Sequence, residues 1–219
     1  MLDEDEVDRL EARCREIPLT SNDHVADDFM TELFDTVLDY QNRAETVKKA
    51  QEHFRFEHAK DIHTLDALED ALAHFPDDDD GNRDLATCLW GNRHWRRARE
   101  LRGFVAYLRE RGVTDLASLR RWAADSTQAD FVGHIKGLGP AVYRSLVMRM
   151  GVDTVKPDIH VLRFVSSAIG RDASQDEAVA GLGTVARRLG IPARTLDFSI
   201  WERRAEAPQA SSTRTSRMT

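Results

Sequence analysis

A chain of 219 residues, 41% of them hydrophobic, is long enough to bury a core as one domain or two small lobes. No apolar run approaches the roughly 18 residues needed to cross a bilayer, and the acidic start from Met1 to Glu6 opposes a signal peptide's basic first segment, so the expectation is a cytoplasmic protein with no membrane partner. Two cysteines, Cys14 and Cys88, cannot form a four-thiolate iron–sulfur cluster; they are expected as buried thiols. The net charge of −7 argues at first sight against a nucleic-acid partner, but it averages two unlike halves. Residues 1–84 hold 25 acidic and 9 basic side chains (9 − 25 = −16), and 85–219 hold 13 acidic and 22 basic (22 − 13 = +9). Local field governs the attraction of a polyanion, so the basic run from Arg93 to Arg102 is either a phosphate footprint or a solvated helix face.

Helical periodicity runs through nearly the whole chain. Leu10, Cys14 and Ile17 form the first apolar stripe, closed by Pro18. Phe29, Leu33 and Val37 mark a second helix and Val47, Ala50 and Phe54 a third, with Tyr40, Gln41, Asn42 and Arg43 between them. Thr64 is placed to cap a helix carrying Leu65, Leu68 and Leu72. The acidic run 76–82 reads as an exposed loop, because like charges repel and Gly81-Asn82 favours a turn; it lacks the alternating ligands of a calcium loop. Helices are expected at 85–90, 96–111, 116–124 and 128–135, then at 159–169, 176–189 and 195–205, with Gly112 as a C-cap and Asp115 as an N-cap. No segment alternates as a strand does, no repeat of fixed period is present, and 206–219 is polar enough to be a disordered tail. The fold class expected is all-α, with about ten helices. His53, His58 and His63 recur every five residues, a spacing that walks around a helix and does not suit a metal site.

One stretch carries chemistry. In Lys136, Gly137, Leu138, Gly139 and Pro140, two glycines permit a tight turn and Pro140 suits the first turn of a helix, so backbone amides converge as an anion site suited to a DNA phosphate. Phe131, Ile135 and Leu138 before the turn and Val142, Leu146 and Val147 after it specify two short helices packed across a hairpin, over about 131–150. Pro157 and Asp158 then open the next helix, where the aspartate is a good N-cap.

Hairpin, Lys156-Pro157 loop and Asp158-x-His160 together resemble the helix-hairpin-helix (HhH-GPD) DNA glycosylase superfamily, most specifically over 131–164 and more weakly over 33–42, where the family's early helix ends in a glutamine. The resemblance spans about 23–205. It implies a two-lobed helical fold: a barrel lobe at 22–151, a second lobe from 1–21 plus 152–205, and an active cleft between them. It implies base excision repair by flipping and excising a damaged, mismatched or modified base from double-stranded DNA, with the chain acting as a monomer. Asp158 would be the catalytic carboxylate that stabilises the oxocarbenium-like sugar and orients water. Lys136, Gly137, Leu138, Gly139, Arg144, Lys156 and His160 would hold the DNA. Gln41 would fill the opened duplex, although an exposed glutamine at a helix end would look the same. Tyr40, Asn42 and Tyr143 would line the base pocket, with core packing the alternative for Tyr143. The position that holds a lysine in bifunctional members is Ala141, which cannot form a Schiff base, so a hydrolase without AP-lyase activity is expected. No cofactor is expected, neither metal nor iron–sulfur cluster; a structural alkali-metal ion at the hairpin is compatible with the resemblance. A catalytically silent DNA-binding protein that holds distorted DNA for a partner is the alternative.

Overall fold

The computed structural model describes residues 1–20, 25–39 and 42–206, and these contain twelve α-helices and no strand. In chain order the helices are α1 (Glu4–Arg15), α2 (Phe29–Leu38), α3 (Ala44–Glu57), α4 (Leu65–Ala73), α5 (Asp79–Trp90), α6 (Trp95–Glu110), α7 (Leu116–Asp125), α8 (Gln128–Phe131), α9 (Pro140–Arg149), α10 (Ile159–Ile169), α11 (Gln175–Leu189) and α12 (Ala193–Glu206). The all-α class read from the periodicity is the class the chain adopts. Two compact units divide these helices, one formed by α2 to α9 and the other by α1 with α10 to α12, and the chain passes between them after Asp153.

Helix ends follow local chemistry. Thr64 and Asp115 cap α4 and α7 as expected, each accepting the N–H three residues on. Asp3 with Glu6 and Ser174 with Glu177 form reciprocal capping boxes at α1 and α11. Gly91, Gly170 and Gly190 close α5, α10 and α11 in the left-handed region.

In the α2–α9 unit the fully buried Phe34 meets Phe54 edge-on at 4.5 Å and Trp90 at 5.8 Å, joining α2, α3 and α5. Glu32 on α2 is buried and receives both ends of the Arg149 guanidinium from α9, which also donates to Ser145 and Thr36. In the other unit Leu10 and Cys14 of α1 pack with Val165, Leu182 and Leu196 from α10, α11 and α12. Arg171 ties α1 to α11 by donating to Glu6 at 2.7 Å and to Glu177 at 2.9 Å.

Four expectations need correction. The acidic run 76–82 is an exposed loop only in its first part: residues 76–80 are exposed, but α5 already begins at Asp79, and Asn82 is 1% exposed. Asp78 caps the helix, Asp79 and Asp80 lie against its positive end, and Gly81 abuts the Pro76 carbonyl so closely that any side chain would overlap it. Helix 128–135 stops at Phe131, because Val132 is extended and Gly133 takes φ +92°. Cys14 is buried, but Cys88 is only partly so. Of the expected disordered tail, Glu206 is the last residue of α12 and 207–219 lie outside the described residues.

Candidate functional site

The hairpin lies between α8 and α9 in the α2–α9 unit. Leu138 and Ile135 are buried and anchor it from below, while Lys136 and Gly137 are exposed. Gly137 takes φ +99°, where an L side chain is strained, and it rests directly on the Glu100 carboxylate of α6. Gly139 caps α9 without a side chain, and Pro140 occupies the first turn. The amides of Lys136, Gly137 and Gly139 donate to no acceptor among the described residues, and the Lys136 ammonium has no carboxylate partner there. These donors lie in the residues just before the N-terminus of α9, where the helix's own first amides favour a negative charge.

Next to the hairpin opens a pocket of about 500 Å3 lined by Asn42, residues 93–97, Glu100 and Gly137. Asn42 is fixed there by donating to the Leu38 carbonyl at 2.6 Å. Trp95 forms one wall, with the guanidinium groups of Arg99, Arg96 and Arg83 at 5.1, 5.4 and 5.9 Å from its ring centre. Arg97 donates to Glu100 at 2.8 Å, which holds the carboxylate under Gly137. The basic run is neither wholly a solvated face nor wholly free for phosphate. Arg102 is structural, donating to Asn82 and to the Leu72 and Phe75 carbonyls, and so is Arg109, paired with Asp66 and Glu69. Arg93 and Arg96 remain on the pocket.

Asp158 lies in the other unit, at the start of α10. Its Oδ1 accepts both the His160 amide at 2.7 Å and the Val161 amide at 3.0 Å, and its Oδ2 makes no hydrogen bond to a described residue. The side chain is half-buried. The cap therefore uses one oxygen and leaves the second as an unmasked acceptor, which is what a carboxylate needs to face a developing cation. Upstream, the Asp158 amide donates to the Lys156 carbonyl at 2.8 Å across Pro157, and the Lys156 amide donates to Oδ1 of Asp197 at 3.0 Å. Asp197, on α12, is 5% exposed. Burial pushes its carboxyl up to about 7, opposed by the Lys156 amide and reinforced by the nearby charge of Asp158.

Several expected site residues take other places. Tyr143 is in the core: its hydroxyl donates to the Ser126 carbonyl at 2.8 Å and its ring meets Phe131 at 5.7 Å, so it packs instead of lining a base pocket. The Leu138 side chain is likewise committed to the core, so it does not take the contact place expected of it. Arg144 is half-exposed on α9 with no ion-pair partner among the described residues, and His160 contributes its amide to the Asp158 cap. Tyr40 and Gln41 lie outside the described residues. His53 and His58 both direct Nε2 at the Cys88 carbonyl, at 3.0 and 2.7 Å. Glu100 and Asp197 were not singled out in the sequence. The signal for Asp197 was an acid beside Leu196 on a stripe that buries Ala193, Leu196 and Ile200. Glu100 gave none, because its role depends on a glycine 37 positions away (137 − 100).

The family follows from comparison. Residues 31–205 match a domain of unknown function, DUF8548, and the chain belongs to that family. No curated protein and no solved structure matches it.

Proposed function

We propose that this chain is a monofunctional DNA N-glycosylase, which extrudes a damaged, mismatched or modified base from duplex DNA and hydrolyses its N-glycosidic bond, leaving an abasic site. The observation that carries the reading is Asp158, which caps α10 through one carboxylate oxygen and keeps the other without a hydrogen bond to any described residue. Departure of a base leaves positive charge on the sugar, and an unmasked carboxylate oxygen stabilises that charge and orients the attacking water. The hairpin supports the reading with three unoccupied amides and Lys136, a set suited to one backbone phosphate. Ala141 provides no amine, so the reaction stops at hydrolysis. In this reading the two helical units are the lobes of the helix-hairpin-helix glycosylase fold, and the partner is double-stranded DNA bound by a monomer.

The test is a panel of duplexes, each with one modified or mismatched base, incubated with wild type and Asp158→Asn and then treated with alkali. Wild type is expected to produce alkali-labile sites in at least one duplex without cutting it beforehand. Asp158→Asn should slow this by on the order of 10²–10³-fold while retaining DNA binding. Wild-type excision by Asp158→Asn, or strand cleavage before alkali, refutes the mechanism. DNA binding with no excision by wild type would instead favour a silent helix-hairpin-helix protein, for which the hairpin and the Trp95 pocket suffice.

A further inference from the structure

Asp197 has no part in the reading above, yet it holds the loop that presents Asp158. It is buried on α12, and Oδ1 accepts from the Lys156 amide, a donor 41 residues away in sequence. The three residues Lys156, Pro157 and Asp158 are then closed from within, because the Asp158 amide returns to the Lys156 carbonyl. Pro157 fixes its own φ, and Val155 is sealed in the core at 1% exposure. With both ends of this turn fixed, the backbone position from which Asp158 reaches its cap depends on the Lys156 amide staying where Asp197 holds it.

We propose that Asp197 is the positioning residue for Asp158: its buried carboxylate fixes the Lys156–Asp158 turn, so that Asp158 caps α10 through Oδ1 and offers Oδ2 to substrate. The catalytic part of this inference rests on the glycosylase reading, whereas the hold on the loop does not. Asp197 touches no substrate and acts through the turn.

A charge effect accompanies the geometric one. The charges that bear most on Asp197 are those of Asp158, which raises its carboxyl, and Lys156, which lowers it, both from the turn. Its carboxyl titrates near neutrality, so below about pH 7 it is a neutral acid and above that pH an anion. The anion accepts the Lys156 N–H more strongly and adds negative field at the reacting sugar. Excision should therefore rise through a midpoint near 7 set by Asp197.

Two variants separate position from charge. Asp197→Asn keeps an oxygen for the Lys156 amide and removes the ionisation; Asp197→Leu removes both. Each is compared with wild type for amide exchange at Lys156, His160 and Val161 in DNA-free protein. Each is then compared for single-turnover excision and DNA affinity from pH 5.5 to 8.5. Asp197→Leu is expected to exchange these amides faster and to lose on the order of 10²-fold in excision rate with affinity nearly unchanged. Asp197→Asn should retain slow exchange and much of the rate, without the rise near pH 7. Unchanged exchange in Asp197→Leu overturns the proposal, as does a pH profile for Asp197→Asn that matches wild type. If wild type excises no base at all, the glycosylase reading fails, and the exchange comparison still decides whether Asp197 holds the Asp158 turn.

Discussion

Replacing Gly137 with alanine tests the hairpin against Gly139, two residues on. At Gly137 the backbone has φ +99°, and a methyl group would overlap Oε1 of Glu100. Backbone strain of this kind amounts to about 1–2 kcal/mol. Relief of the overlap requires moving a carboxylate held by Arg97 at 2.8 Å, with both side chains mostly buried, which adds about 1 kcal/mol. Gly139 has φ −106°, and nothing lies within 4 Å of an added methyl, so Gly139→Ala should stay within about 0.5 kcal/mol of wild type. The measurement is urea unfolding followed by tryptophan fluorescence in a Trp201→Phe background, where the three remaining tryptophans, Trp90, Trp95 and Trp122, all belong to the α2–α9 unit. Gly137→Ala should be destabilised by roughly 2–3 kcal/mol. Adding Glu100→Ala should recover the overlap part and leave the backbone part. Equal stabilities for the two alanine variants would show that the hairpin is not under the constraint its geometry describes.

Two further outcomes concern buried charge. Arg149→Met leaves Glu32 buried without a guanidinium and should destabilise the α2–α9 unit by about 3–5 kcal/mol, whereas the pair Glu32→Leu with Arg149→Met should recover most of it; denaturant titration of all four proteins checks this. Burial raises the Asp197 carboxyl to about 7 and that of Asp35 to about 6, from an ordinary 3.8, so the native state binds more protons than the unfolded chain between about pH 4 and 7. Stability from these two groups is full at the acidic end of that window and is lost as pH rises through it. The thermal midpoint should therefore fall from pH 5 to pH 7.5, and Asp35→Asn with Asp197→Asn should flatten that fall; an equal slope in the double variant would assign it elsewhere.

Local signals located most helices and their starts, since an apolar stripe needs only 3.6-residue spacing and an N-cap needs only its own hydroxyl or carboxylate. Leu10, Cys14 and Ile17 are all buried in the unit that α1 forms with α10 to α12, and Thr64, Asp115 and Asp158 cap where their side chains predict. The acidic run departs from expectation only in its second half, where exposed aspartates begin a helix despite their mutual repulsion. Asp78 instead satisfies a helix amide, and the Arg102 guanidinium, drawn from α6, fastens the Leu72 and Phe75 carbonyls just before the run. Arg102 lies about thirty positions from those carbonyls, and no local window contains that contact.

The site shows the same division between local and distant causes. The hairpin glycines and the Asp158 cap were legible because each is determined within a few residues. What makes them usable was not. Glu100 supports Gly137 from a helix that comes earlier in the chain, and Asp197 grips the Lys156 amide from the last helix. The cap and the chemistry read for Asp158 do not compete, because the amides of His160 and Val161 share one oxygen. Capping fixes the carboxylate in orientation without masking its second oxygen, so the helix N-terminus that makes Asp158 look ordinary in sequence is also what would preorganise it.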